Sequence, residues 1–145
     1  MQPLDGSESL VIDCSVTMAW YFKDEEDDYA NAVRDGLGES RAVVPSLWPL
    51  EVANTILVGE RRKRSNQAQA AAWTGLLSSL PITVDEETGT RAFSDILNLG
   101  RARNLSAYDA AYLELAMRRG LPLATLDEKL KAAAGAVGVP IYSAA

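Results

Sequence analysis

Five short apolar, β-branched runs recur along the chain, each separated from the next by a longer segment of helical character. That alternation narrows the fold more than any other feature. The runs fall at residues 10–12, 42–44, 82–84, 121–124 and 139–142. The first run, ending at Asp13, suits a strand buried on both faces, and the last reads as a short strand at or near an edge. Strands alternating with helices pair in parallel through right-handed crossovers. The pattern therefore predicts an α/β protein, a three-layer α/β/α sandwich around a short parallel sheet.

The intervening segments read as helices over 16–22, up to a stop at Gly36 or Gly38, and then over 47–64, 67–80, 88–103, 106–119 and 127–134. Ser46 reads as the cap of the third, with Pro49 in its first turn, and Gly120 sits where a helix stop belongs. No repeat or linker interrupts the 145 residues, so one domain over 1–145 is expected.

In such sheets, sites form outside the carboxyl ends of the strands. Asp13 closes the first run, and Asp127 follows the fourth. Glu51 lies one turn into the helix after the second run, in an apolar setting broken by Asn54 and Thr55 on the same face. Asp109 stands in the first turn of a nearly apolar helix. Each has an ordinary alternative: Asp13 and Asp127 as helix caps or turn residues, Glu51 as a complement to the helix dipole, and Asp109 as part of a capping box with Ser106. Taken together they carry more: if the first and fourth strands are neighbours, their acids converge, with Glu51 and Asp109 at helix starts near the same edge. Their repulsion is best relieved by a divalent cation, and with only hard oxygen ligands Mg²⁺ or Mn²⁺ is the expected ion. Ser15 and Thr125 each lie two residues from an acid, as supporting hydroxyls or as local turn bonds.

Composition removes competing chemistries. The chain has no histidine, which excludes Ser-His-Asp, Cys-His and two-histidine catalysis. Its one cysteine, Cys14, permits no intramolecular disulfide and no cysteine-rich zinc site. Residues 1–9 lack a basic leader pattern, and no run approaches the roughly 20 apolar residues of a membrane span, so a cytoplasmic protein is expected. The net charge of −6 counts against nonspecific nucleic-acid binding by bulk charge alone and leaves local basic patches. Arg61, Arg62, Lys63 and Arg64 form the densest, though a basic helix end also complements the dipole. Arg101, Arg103, Arg118 and Arg119 are further candidates. Trp20, Tyr21, Phe22, Trp48, Leu57 and Trp73 are apolar groups suited either to core or to a groove for a partner helix.

Four segments resemble the PIN-domain ribonucleases and, within them, VapC-type toxins of bacterial toxin–antitoxin pairs. They are Val-Ile-Asp-Cys-Ser-Val at 11–16, Pro-Leu-Glu-Val-Ala-Asn at 49–54, Leu-Ser-Ala-Tyr-Asp-Ala-Ala-Tyr at 105–112 and Ala-Thr-Leu-Asp at 124–127, in the family's order. The resemblance implies strand order 3-2-1-4-5, with Asp13, Glu51, Asp109 and Asp127 as Mg²⁺ or Mn²⁺ ligands supported by Thr125 and Ser15. It further implies an endoribonuclease acting on structured or single-stranded RNA, a homodimer, and a small VapB-like antitoxin as partner. A catalytically silent PIN-like partner-binding module is the alternative. A haloacid-dehalogenase-like phosphatase needs a second Asp where Ser15 stands, a receiver domain needs paired acids at the first strand, and no phosphate-cradling glycine loop is present.

Overall fold

A computed structural model describes residues 8–144. The N-terminal stretch considered above lies outside them, apart from Glu8 and Ser9. Strands β1 (Leu10–Ile12), β2 (Ala42–Pro45), β3 (Ile82–Asp85) and β4 (Leu123–Ala124) form one parallel sheet in the order β3-β2-β1-β4. Val11 of β1 pairs with Val43 on one side and Leu123 on the other.

Helices flank the sheet. They are α1 (Cys14–Ala19), α2 (Asp28–Gly36), α3 (Trp48–Arg61), α4 (Gln67–Ser78), α5 (Thr88–Arg91), α6 (Leu97–Arg103), α7 (Ala107–Arg119) and α8 (Glu128–Ala136). From β1 to β3 the chain steps in one direction across the sheet, and the long β3–β4 connection then carries it back past β1. Right-handed crossovers put the helices of these two directions on opposite faces. The packing agrees: α1 meets α2 and α3, whereas α7 meets α6 and α8. The reversal falls between β1 and β4, which makes their carboxyl ends the crevice of this sheet.

The core explains the strand signals. Leu10, Val11, Ile12, Val43 and Leu123 are fully buried, and α7 packs on β1 and β2 through an unbroken buried stretch from Ala110 to Ala116. On the other face, Gly59 of α3 lets that helix close on Phe22, because a Cβ there would stand 2.6 Å from the Phe22 ring.

Several expectations are corrected. The fifth strand is reduced to a single bridge between Ile141 and Leu123, so the order 3-2-1-4 is formed and the fifth place is held by one residue pair. The fourth strand begins at Leu123 rather than at residue 121. The helix expected over 16–22 starts at Cys14, capped by Asp13, and stops at Ala19. Ser46 is not a side-chain cap: Leu47 occupies that position, and the Ser46 N–H donates to Thr88 Oγ1 at 2.9 Å. The helix expected over 88–103 contains a π turn at Ala92–Ile96 between α5 and α6. No described helix is long and apolar enough to cross a membrane.

Candidate metal centre

Asp13 leaves β1 in extended conformation and caps α1, its Oδ1 accepting from the Val16 N–H at 3.1 Å. The cap reading and the site reading therefore apply to the same carboxylate. Ser15 Oγ donates to Oδ1 at 2.7 Å, and the Thr125 hydroxyl donates to Oδ2. Ser15 Oγ and Thr125 Oγ1 in turn accept the N–H groups of Leu126 and Asp127, each at 3.0 Å. Since β4 has only two residues, these side-chain bonds extend the β1–β4 seam beyond the ladder. Thr125, read from sequence as a neighbour of Asp127, thus serves Asp13 across the crevice.

The other acids come from three helix starts. Glu51 is in the first turn of α3 and half-buried, and its Oε1 accepts from the Tyr112 hydroxyl at 2.6 Å. Asp109 is in the first turn of α7, where its N–H donates to the Ser106 cap at 3.1 Å. Asp127 caps α8, Oδ1 accepting from the N–H groups of Lys129 and Leu130 at 2.8 and 3.1 Å. Asp13 and Asp127 thus flank the switch point, Glu51 and Asp109 stand in the first turns of α3 and α7, and each helix start also offers its carboxylate the positive end of a dipole.

The electrostatics link them. Burial raises the Asp13 carboxyl above its ordinary range, against hydrogen bonds from Thr125, Ser15 and Val16, and the charge of Asp109 raises it further. Glu51 is raised by burial and then by Asp109 and Asp13, with the Tyr112 bond opposing. Asp109 is raised by burial and then by Asp127, while Lys129 pulls it back. Asp13, Glu51 and Asp109 therefore each feel at least one other acid. Burial and the Glu51 charge also push the Cys14 thiol up to about 12, which keeps it a protonated neighbour. Among the described residues, no three such groups already stand as a set that could hold one ion. The donor chemistry nevertheless fits a hard divalent cation: four carboxylates, hydroxyl support, and no sulfur or imidazole in competition.

Sequence reasoning missed two features. Tyr112 was visible only as part of a motif, although its place three residues after Asp109 puts it on the same helix face. Asp85 ends β3 much as Asp13 ends β1, but its carboxylate is taken by Arg118 at 2.8 Å and Arg119 at 2.9 Å. Those arginines lower its pKa and withdraw themselves as free cations. Arg118 also binds the buried Glu114 at 2.9 Å. Arg64 is likewise engaged, with Asp24 and Glu25 at 2.9 and 2.6 Å and over the Phe22 ring at 3.8 Å. Arg61, Arg62 and Lys63 remain exposed at the end of α3.

Comparison with known proteins agrees on the architecture. The structure of PAE2754 from Pyrobaculum aerophilum superposes with a TM-score of 0.64 at 23% identity, covering 90% of this chain and 83% of that one. The Mycobacterium tuberculosis toxin VapC20, described as cleaving the sarcin-ricin loop, superposes at 0.58 with 18% identity, covering 86% and 95%. No curated protein sequence matches the chain. The PIN domain family model matches residues 10–136, from the first strand to the end of the last helix, and the chain belongs to the PIN domain family.

Proposed function

We propose that the protein is a Mg²⁺- or Mn²⁺-dependent endoribonuclease, the toxin of a toxin–antitoxin pair, acting in the cytoplasm on structured or single-stranded RNA such as a transfer RNA. The observation that carries this reading is Asp13 and Asp127 at the ends of neighbouring strands with Glu51 and Asp109 in the first turns of α3 and α7, where the burial of Asp13, Glu51 and Asp109 and the repulsion they feel call for a cation. The likeness to a toxin that cleaves the sarcin-ricin loop supports RNA as the substrate class.

Asp13, Glu51, Asp109 and Asp127 would hold the ion, with Thr125 and Ser15 keeping the Asp13 oxygens aimed. When bound, the ion supplies Lewis-acid chemistry, acidifying a water and neutralising charge on the scissile phosphate. The chain's own part is to orient these oxygens and to take a proton from the attacking water at Glu51 or Asp109, both half-buried and within reach of solvent. Exposed Arg61, Arg62 and Lys63 offer phosphate contacts for an RNA longer than the cleft.

A small antitoxin has a groove of about 500 Å³ between the end of α1 and α4, lined by Tyr21, Phe22, Arg64, Trp73 and Leu76. Leu76 is 68% exposed. The Tyr21 hydroxyl is buried beside the groove without a hydrogen-bond partner among the described residues. A homodimer is expected on the same reading, with Phe93, 91% exposed, the most conspicuous apolar group on the opposite helices.

Incubating the purified protein with a panel of structured RNAs tests the proposal, with Mg²⁺, Mn²⁺ or EDTA and with Asp109→Asn beside it. Metal-dependent cleavage absent from the variant is the expected result. A folded protein that binds Mn²⁺ and cuts none of them points instead to a partner-binding module, and one that binds no metal overturns the site.

A further inference from the structure

The Tyr112 hydroxyl donates to Glu51 Oε1 at 2.6 Å, joining α7 to α3 across 61 positions of sequence. Tyr112 is 1% exposed and locked in the most buried stretch of α7, so its hydroxyl has little freedom. Glu51 differs: its carboxylate is half-buried on a long side chain and is repelled by Asp109 and Asp13. Among the described residues no other group donates to it. Without the tyrosine, repulsion and rotamer entropy would together turn Glu51 outward.

We propose that Tyr112 is a positioning residue for the metal site: it fixes one Glu51 oxygen and leaves the other for the cation, a role that presupposes the metal site proposed above. Asp109 lies three residues before Tyr112 on α7. One rigid helix thereby supplies a ligand directly and sets a second ligand that belongs to another helix. Carboxylate ligands are commonly oriented by such hydrogen bonds, and losing one typically weakens metal binding about 10- to 100-fold.

Calorimetric titration of Mn²⁺ into RNA-free protein tests this with wild type, Tyr112→Phe, Glu51→Gln and the double variant. The phenylalanine keeps the ring and removes only the hydroxyl. The expected result is about 10-fold weaker Mn²⁺ binding by Tyr112→Phe, an unchanged melting profile in EDTA, and cleavage restored by raised Mn²⁺. The double variant should bind no more weakly than Glu51→Gln alone. Unchanged affinity in folded Tyr112→Phe, or a loss that persists in full on the Glu51→Gln background, overturns the assignment. Wild-type protein that takes up no Mn²⁺ overturns the metal site itself, and this role with it. For a Tyr112→Phe chain that does not fold, carbon-13 tyrosine spectra of the wild type decide. Mg²⁺ shifts the Tyr112 signal if the hydroxyl tracks Glu51, and an unmoved signal rejects the role. The signal is assigned by replacing Tyr21, Tyr29, Tyr108 and Tyr142 in turn.

Discussion

The Thr125 hydroxyl, just past the end of β4, donates to Asp13 Oδ2, just past the end of β1. The two strands are neighbours in the sheet, so a residue distant in sequence orients the most buried acid of the site. Thr125 has no exposed surface, so the bond is shielded from bulk solvent.

Thr125→Val keeps the shape and removes the hydroxyl. It leaves Asp13 Oδ2 and the Asp127 N–H without their partner, at a cost of roughly 1–3 kcal/mol, which urea unfolding measures. Mn²⁺ affinity and cleavage should fall about 10-fold or more, with Thr125→Ser retaining most of both.

The raised carboxyl groups fix how stability varies with pH. A carboxyl with a folded pKa above its unfolded value contributes stability that is full below the ordinary carboxylate range and lost as pH rises through the folded value. Asp13, Glu51 and Asp109 are of this kind. Asp85 is lowered, so its contribution has the opposite sense and is lost as pH falls. In EDTA, Asp109→Asn should therefore melt higher than wild type near pH 8, the advantage vanishing near about pH 4. Mg²⁺ should raise the wild-type melting temperature in the same alkaline range.

The acids at the ends of β1 and β3 have separable roles. Arg118→Met strips the buried Asp85 and Glu114 carboxylates of a shared partner. Breaking a buried pair from one side costs about 3–5 kcal/mol, so the urea midpoint should drop sharply. Cleavage per folded molecule, measured well below the melting temperature, should stay close to wild type.

Gly59→Ala would push its new methyl against the Phe22 ring, which is buried and covered on another side by Arg64. Overpacking of this kind costs about 1–3 kcal/mol. Since Phe22 and Arg64 both line the apolar groove, antitoxin affinity measured on an immobilised partner should fall while Mn²⁺ affinity holds.

The residues explain why some of this was legible in the sequence and some was not. Short apolar runs such as Leu10, Val11 and Ile12 announce buried parallel strands because both faces are covered. The order of the strands comes from the resemblance to the PIN domain family, and the acids that end them can be picked out by position. Tertiary partners carry no such local trace. Nothing near Thr125 says that it reaches Asp13, and nothing near Arg118 says that Asp85 has claimed it. The π turn at Ala92–Ile96 keeps a helical pattern, so periodicity does not reveal it. The last strand was overestimated because Pro140 has no N–H to donate, and only the Leu123 N–H to Pro140 O and Tyr142 N–H to Leu123 O bonds form, each at 2.9 Å.

The hydroxyls that hold Asp13 also receive the backbone N–H groups of Leu126 and Asp127. The Leu126 bond crosses the seam between β1 and β4, and the Asp127 bond is made to the hydroxyl that Asp13 holds, so both amides exchange faster with solvent when the crevice opens. Their exchange rates therefore time the opening of the crevice from within the main chain. An ion seated against Asp13 would slow both together, giving a label-free gauge of occupancy at the site.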